Sequence, residues 1–406
     1  MRRALLAFFI TSAPVFASWP QYGGPTGDFR APIPDGATLP KEPLWRKALG
    51  PGESGIAADG DTLFTHYSIP TPPKNDAGTE VVIALDSKTG RTLWEHKYPV
   101  ARLPKQETFR GAPVGPQATP CVGGGRVFAL GYAGVLTCLT TDGKEVWTRD
   151  VVKDFEATPV QFGFSASPVL SDGKLLVAAG GKQAALVALD PADGKVLWKT
   201  APAAPAYATP VPAKLGGEEQ VVLLTRDAVC GYSVSDGKTR WTYPLPKAGL
   251  TNVPTPLVLP DDQVLVSGQG QVGTALLKVT RTGEAFAAKA VWQAKAKFFY
   301  CNWVLAGDAV CGYADSRFVA LRWKDGEPLW DTTTQNEGNV VAGEKAAVIL
   351  RGDGRLTLGK LTAEGFDESA TLQLFDGRAW SPPTVSGGVL YARNAKEIVA
   401  VPVGRR

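Results

Sequence analysis

The chain has 406 residues, 44% of them hydrophobic and 20% charged, enough to bury a substantial core. Its 45 Gly and 32 Pro exceed average usage, which marks many tight turns and disfavours a helical bundle, while the apolar share excludes disorder. With 43 Lys and Arg scattered among 39 Asp and Glu, and only two His, composition excludes a phosphate-tracking nucleic-acid surface and any His-rich metal site.

Arg2-Arg3, the apolar Ala4 to Ile10 and the small residues ending Val15-Phe16-Ala17 read as an export signal cut between Ala17 and Ser18. Its apolar stretch is too short to span a bilayer; a buried N-terminal strand is the alternative. Cys121 is the first cysteine, so no Cys stands at the cleavage site for lipid attachment. The expectation is an exported protein of periplasm or medium. Residues 1–17 are then the signal, 18–40 an N-terminal extension and 41–406 the folded domain. Removing 19–30 is expected to matter less than removing Trp45.

A repeat organises the rest. Ala84-Leu85-Asp86 leads through Gly90 to Trp94, and Ala188-Leu189-Asp190 leads through Gly194 to Trp198. Gly precedes Trp by four residues at Gly90/Trp94, Gly143/Trp147, Gly194/Trp198, Gly237/Trp241 and Gly326/Trp330. Looser copies run through Gly283 to Trp292 and through Gly365 to Leu372, where Leu replaces Trp. Copies lie roughly 40–50 residues apart, the period of four-stranded propeller blades. Within each copy come an apolar strand, often opened by Thr-Pro or Ser-Pro, then a Gly or Asp turn, two alternating strands, and the Trp strand. Gly supplies positive φ for the last turn, and the Trp ring is expected to dock over the neighbouring blade's turn.

Closure is legible as well. Glu397 to Val403 has no Trp strand after it, whereas Glu42-Pro43-Leu44-Trp45 repeats Glu327-Pro328-Leu329-Trp330. Trp45 is therefore assigned to the outer strand of the final blade. The Trp slots are 45, 94, 147, 198, 241, 292, 330 and near 372. The fold expected is all-β: an eight-bladed β-propeller of four-stranded antiparallel blades, closed by an N-terminal strand. An open solenoid is the alternative.

The Ala-x-Asp-x-x-Thr-Gly-Lys-x-x-Trp repeat resembles the tryptophan-docking motif of the pyrroloquinoline-quinone-like (PQQ-like) β-propeller family. That family includes quinoprotein alcohol dehydrogenases and the propeller lipoprotein of the outer-membrane β-barrel assembly machinery. Trp19-Pro20-Gln21-Tyr22-Gly23-Gly24-Pro25 resembles the segment after the signal in exported members. Its dehydrogenases hold PQQ and Ca²⁺ with carboxylate and amide ligands, a catalytic Asp and often an adjacent Cys pair. No two Cys are adjacent here and no such ligand set maps onto the chain. No PQQ, Ca²⁺ or other cofactor, and no catalytic residue, is expected.

Other motifs read as structure. Gly268-Gln269-Gly270-Gln271-Val272-Gly273 matches a dinucleotide fingerprint, but a strand rather than a helix is expected after it, so it is a hairpin loop. Arg351-Gly352-Asp353 falls where a blade needs its middle turn. Cys301 and Cys311 either face each other across a hairpin or sit as separate buried thiols.

A binding site, if the chain has one, is expected at the funnel where innermost strands begin, near Arg110, Gln117, Phe164, Tyr207, Asn252, Tyr300, Asn302, Asn336 and Trp380; ordinary loop chemistry is the alternative. Aromatic and amide side chains suit a peptide, glycan or partner loop. The inserts His66–Glu80 and Ala101–Ala118, rich in Pro, are expected to be irregular, exposed partner surfaces. The functional expectation is a monomeric, noncatalytic platform for an envelope protein or glycan. A small PQQ-dependent oxidoreductase and a periplasmic carbohydrate-binding propeller are the alternatives.

Overall fold

A computed structural model describes residues 18–71, 76–100, 115–246, 252–268, 273–314, 316–332 and 337–405. Eight antiparallel sheets make the ring. Blade 1 comprises Ala57–Asp59, Thr62–Thr71, Asp76–Asp86 and Thr92–Pro99, and blade 2 comprises Cys121–Gly123, Arg126–Leu130, Val135–Thr140 and Glu145–Asp150. The innermost strands of blades 3 to 8 are Val169–Ser171, Val211–Leu215, Leu257–Leu259, Phe298–Ala306, Gly338–Ala342 and Thr384–Ser386. Inner strands are apolar and buried because each lies between neighbouring sheets; outer strands alternate, as in the Thr92–Pro99 pattern. The five-residue helix Val151–Phe155 is the one helix among the described residues.

The eighth blade is closed by the N-terminal strand, as expected. Trp45–Ala48 pairs antiparallel with Glu397–Pro402, setting Trp45 opposite Ala400, and Arg46 binds Glu397 at 2.7 Å. Every Trp slot shares this geometry. Trp94 faces Ala84, Trp147 faces Cys138, Trp198 faces Ala188 and Trp330 faces Ala320, each beside a register shift. Blade 7 corrects the sequence assignment: its shift falls between Leu358 and Gly359, so Ala370, not Leu372, occupies the slot opposite Leu358.

The extension 18–40 is part of the core. Ser18–Trp19 adds a fifth strand to blade 1, with Trp19 opposite Ala58, and the Val122 amide donates to Pro20 O at 2.7 Å. The chain then turns through Gly23, Gly24 and Gly27 and returns along blade 7, where Ala342 N–H donates to Phe29 O and Ala31 N–H to Ala342 O. Thr38 next pairs with Gly404 beside the last strand. Residues 19–31 thus form a hairpin plug in the central channel, with Trp19 2% and Phe29 3% exposed. This burial runs against the expectation that removing 19–30 matters less than removing Trp45.

Two more readings change. His66–Glu80 is no irregular insert: Thr62–Thr71 and Asp76–Asp86 form one long ladder that pairs Ser68 with Glu80 and buries both His66 and Glu80. The second insert is described only from Gly115, and Pro116 and Ala118 are buried. All five cysteines are free and buried, and Cys311 pairs with Val304 rather than Cys301. Burial pushes both the Cys301 and Cys311 thiols up to about 12. Gly268 pairs with Gly273 and a strand, Gly273–Thr282, follows, while 269–272 lie outside the described residues.

Candidate functional site

Docking follows the receiving turn. The indole nitrogens of Trp45, Trp94, Trp147, Trp198 and Trp292 donate to Ser87 O, Thr141 O, Pro191 O, Val234 O and Trp323 O of the next blade at 2.9–3.1 Å. The ring lies over that turn's glycine. A Cβ on Gly237 would stand 2.5 Å from Trp198, and φ there is +71°, so both space and backbone exclude a side chain. Gly90, Gly143, Gly194 and Gly326 repeat the arrangement. Trp241 and Trp330 do not dock this way. Trp241 turns back to Gln220 Oε1 at 2.8 Å, and the Trp330 nitrogen has no acceptor.

The Ser/Thr-Pro dipeptides carry a feature that sequence reasoning missed. Thr119 N–H donates to Ser167 Oγ, Ser167 N–H to Thr209 Oγ1 and Thr209 N–H to Thr255 Oγ1, at 3.0–3.1 Å. Each hydroxyl thereby ties the start of one inner strand to the blade before it. The recurrence of a hydroxyl residue before Pro was the available signal.

The funnel residues are divided. Asn302 donates to Val340 O at 2.7 Å and accepts from Val340 N at 2.9 Å, so both its amide atoms clamp blade 6 to blade 7. Asn252 donates to Thr225 O at 2.9 Å, and its buried Oδ1 has no partner. Gln117 donates to Phe162 O, the Tyr207 hydroxyl accepts from Phe162 N, and Phe164 is buried. Trp380 stacks beneath the Arg378 guanidinium at 4.3 Å. Arg110 and Asn336 lie outside the described residues, as does the Tyr300 side chain. The structure therefore joins several of these residues in blade-to-blade bonds rather than in one open site.

A buried polar network crosses blades 8, 1 and 2. Arg393 donates to Thr65 Oγ1 at 2.9 Å, His66 O at 2.7 Å and Gly52 O at 2.9 Å. Tyr98 donates to Glu80 Oε2 at 2.7 Å and stands 3.0 Å from His66 Nε2, while Tyr132 N–H donates to Glu80 Oε1. Burial pushes Glu80 up to about 7, and burial with the Arg393 charge pulls His66 down to about 3.

The outer rim differs from the funnel. Leu44, Leu93, Val146 and Leu197 each precede a docked Trp and remain exposed, on blades 8, 1, 2 and 3 in succession. No helix among the described residues is long and apolar enough to cross a membrane.

The chain matches, over residues 78–332, the PQQ_2 family described as outer membrane protein assembly factor BamB. It belongs to this PQQ-like propeller family. No curated protein sequence matches it. Its fold is similar to the computationally designed Ika8 protein, at 10% identity and TM-score 0.59, covering 88% of this chain and 98% of that one. Quinohemoprotein alcohol dehydrogenase ADHIIG from Pseudomonas putida HK5 superposes at 12% identity and TM-score 0.63, covering 96% and 81%. A europium-containing methanol dehydrogenase superposes at 11% identity and TM-score 0.52, covering 95% and 98%. These likenesses concern the fold. Among the described residues no group of three His, Cys, Asp or Glu is placed for a metal, and both side-chain amide atoms of Asn302 bond to backbone.

Proposed function

We propose that this PQQ-like propeller is an exported, noncatalytic platform that binds a protein in the cell envelope. The observation that carries the reading is a contrast between channel and rim. The chain's own hairpin occupies the channel along blades 1, 2 and 7 and the funnel amides hold blades together, whereas four consecutive blades expose an apolar residue on the outer rim. Repeated exposed apolar residues on a rigid scaffold suit a protein partner better than a small substrate. The match to the BamB family supports the same class of role.

In vivo crosslinking from photoreactive residues at Leu93 and Leu197, followed by pull-down from the envelope, tests the platform. Specific crosslinks to an envelope protein are expected; their absence, with stoichiometric PQQ and Ca²⁺ uptake and dye reduction on an alcohol, would favour the oxidoreductase instead. Export is tested by the intact mass of protein recovered outside the cytoplasm. A mature start at or near Ser18 is expected, and retention of Ala4 to Ile10 would overturn it.

A further inference from the structure

Ala58, Val122 and Ala342 occupy equivalent places on their innermost strands, where backbone groups turn away from the blade and into the channel. The plug uses all three: Trp19 pairs with Ala58, Pro20 O accepts from Val122 N, and Phe29 and Ala31 bracket Ala342. The protein's channel therefore already holds a peptide, its own, by strand addition.

The equivalent residue of blade 4 is Lys214. Leu215 pairs with Glu218 across the Gly216-Gly217 turn. Alternation in an antiparallel ladder then directs the backbone of Leu215, Ala213 and Val211 to the second strand, and that of Lys214 and Pro212 to the channel. Pro212 has no N–H and suits only such an edge. Between this edge and the plug lies a cavity of about 320 Å³, lined by Gln21, Tyr22 and Thr26 on one side and Leu170, Pro212 and Lys214 on the other. Lys214 and its register partner Glu219 are both exposed, placing a cation and an anion at the rim.

We infer that this cavity binds a short extended peptide from a partner protein, added as a strand along the Lys214 edge beside the plug. The wall is of the kind that holds the chain's own segment on blades 1, 2 and 7. The Gln21 amide offers hydrogen bonds to a peptide backbone, the Thr26 and Tyr22 hydroxyls being held by Asp28 and Thr255, and Pro210, Pro212 and Pro25 offer apolar faces beside it. The inference rests on the platform reading, and it moves one contact from the outer rim to the channel mouth on the side of the short turns.

The test is a fluorescence anisotropy titration of the mature protein with a labelled alternating threonine–valine hexapeptide and its backbone N-methylated form. Saturable binding is expected, weakened about tenfold or more by N-methylation and by Lys214→Pro, which removes one channel-facing N–H, but within about threefold for Lys214→Ala. Thermal melts establish that Lys214→Pro is folded. Thr26→Trp, which fills the cavity from the exposed side of the plug, should block binding independently. No saturable binding by wild type up to roughly 1 mM peptide, or equal binding by both Lys214→Pro and Thr26→Trp, overturns the inference. Envelope crosslinks that persist in a protein binding no peptide would retain the platform and remove this site. Peptide binding without envelope crosslinks would do the reverse.

Discussion

The ring is held together in two ways. From blade 8 round to blade 4, four successive seams carry the same device, a Trp ring over a glycine turn with its nitrogen on a backbone carbonyl. From blade 4 back to blade 8 only Trp292 docks so. There the seams use particular solutions: Gly216 N–H on Asp262 Oδ1 with Phe286 packed against Gly216, the Asn302 clamp, and the edge-to-face contacts of Phe318 with Trp330 and Phe366. The difference lies in the receiving turn. Thr282-Gly283 and Thr362–Gly365 cap long hairpins and present no carbonyl to the incoming indole. A Trp in the repeat is therefore necessary for docking and insufficient for it.

The harshest test of this division is removal of the plug, which binds blades 1, 2 and 7 and so bridges both arcs. Deleting residues 19–30 takes away two buried aromatics, each worth about 3–5 kcal/mol on truncation, against a net stability of roughly 5–15 kcal/mol. We expect loss of cooperative folding in circular dichroism melts. A surviving transition with reduced amplitude would show that the docked arc stands alone.

Trp45→Ala and Trp198→Ala should each destabilise by roughly 2–4 kcal/mol, less than for a fully enclosed ring because both are partly exposed. Trp330→Ala should cost about 1 kcal/mol less, since its nitrogen forfeits no hydrogen bond. Urea titrations give the comparison; equal losses would erase the distinction between the arcs. The glycines sharpen it further. Gly237 and Gly283 have φ of +71° and +60°, so Ala strains both backbones by about 1 kcal/mol, but only Gly237 faces a ring. Gly237→Ala is expected to be worse by a further 1–2 kcal/mol or so.

The smallest effect is confined to the docked arc. Folded Glu80 keeps its proton up to about 7, above its ordinary 4.5, so its contribution is full below 4.5 and is lost as pH rises through 7. Folded His66 resists protonation down to about 3, below its ordinary 6.5, so its contribution is full above 6.5 and is lost as pH falls through 3. The two oppose each other between 4.5 and 6.5, where stability should be nearly level. Glu80→Gln should leave only the rise with pH up to 6.5. Chemical denaturation from pH 3 to 8 checks this, and an unchanged decline above 6.5 in the variant would exclude Glu80 as its source.

The repeat was legible because a ring at a fixed offset from a glycine records both a turn and what covers it. The Glu42 to Trp45 echo revealed closure for the same reason. Slot 370 was hidden, since a register shift moves the position and Ala leaves no mark. The plug was hidden too: a Gly- and Pro-rich stretch looks like a linker, and strand addition depends on backbone, which side chains do not disclose. Nor could Asn302 be told from a ligand-binding amide, because the same donor and acceptor serve a substrate or a neighbouring strand. His66–Glu80 misled through the prolines at its tip, although the flanking residues alternate as a strand should.

The plug enters beside Asp59 and leaves beside Ala342 and Gly404, all on the side of the short turns. The polypeptide does not pass through the ring like a thread through a bead; it dips in and comes back out. Tension applied at Ser18 therefore reaches the hairpin, arm after arm, before it reaches Trp45. A pull at Ser18 would load the plug before it loads the seam of the ring.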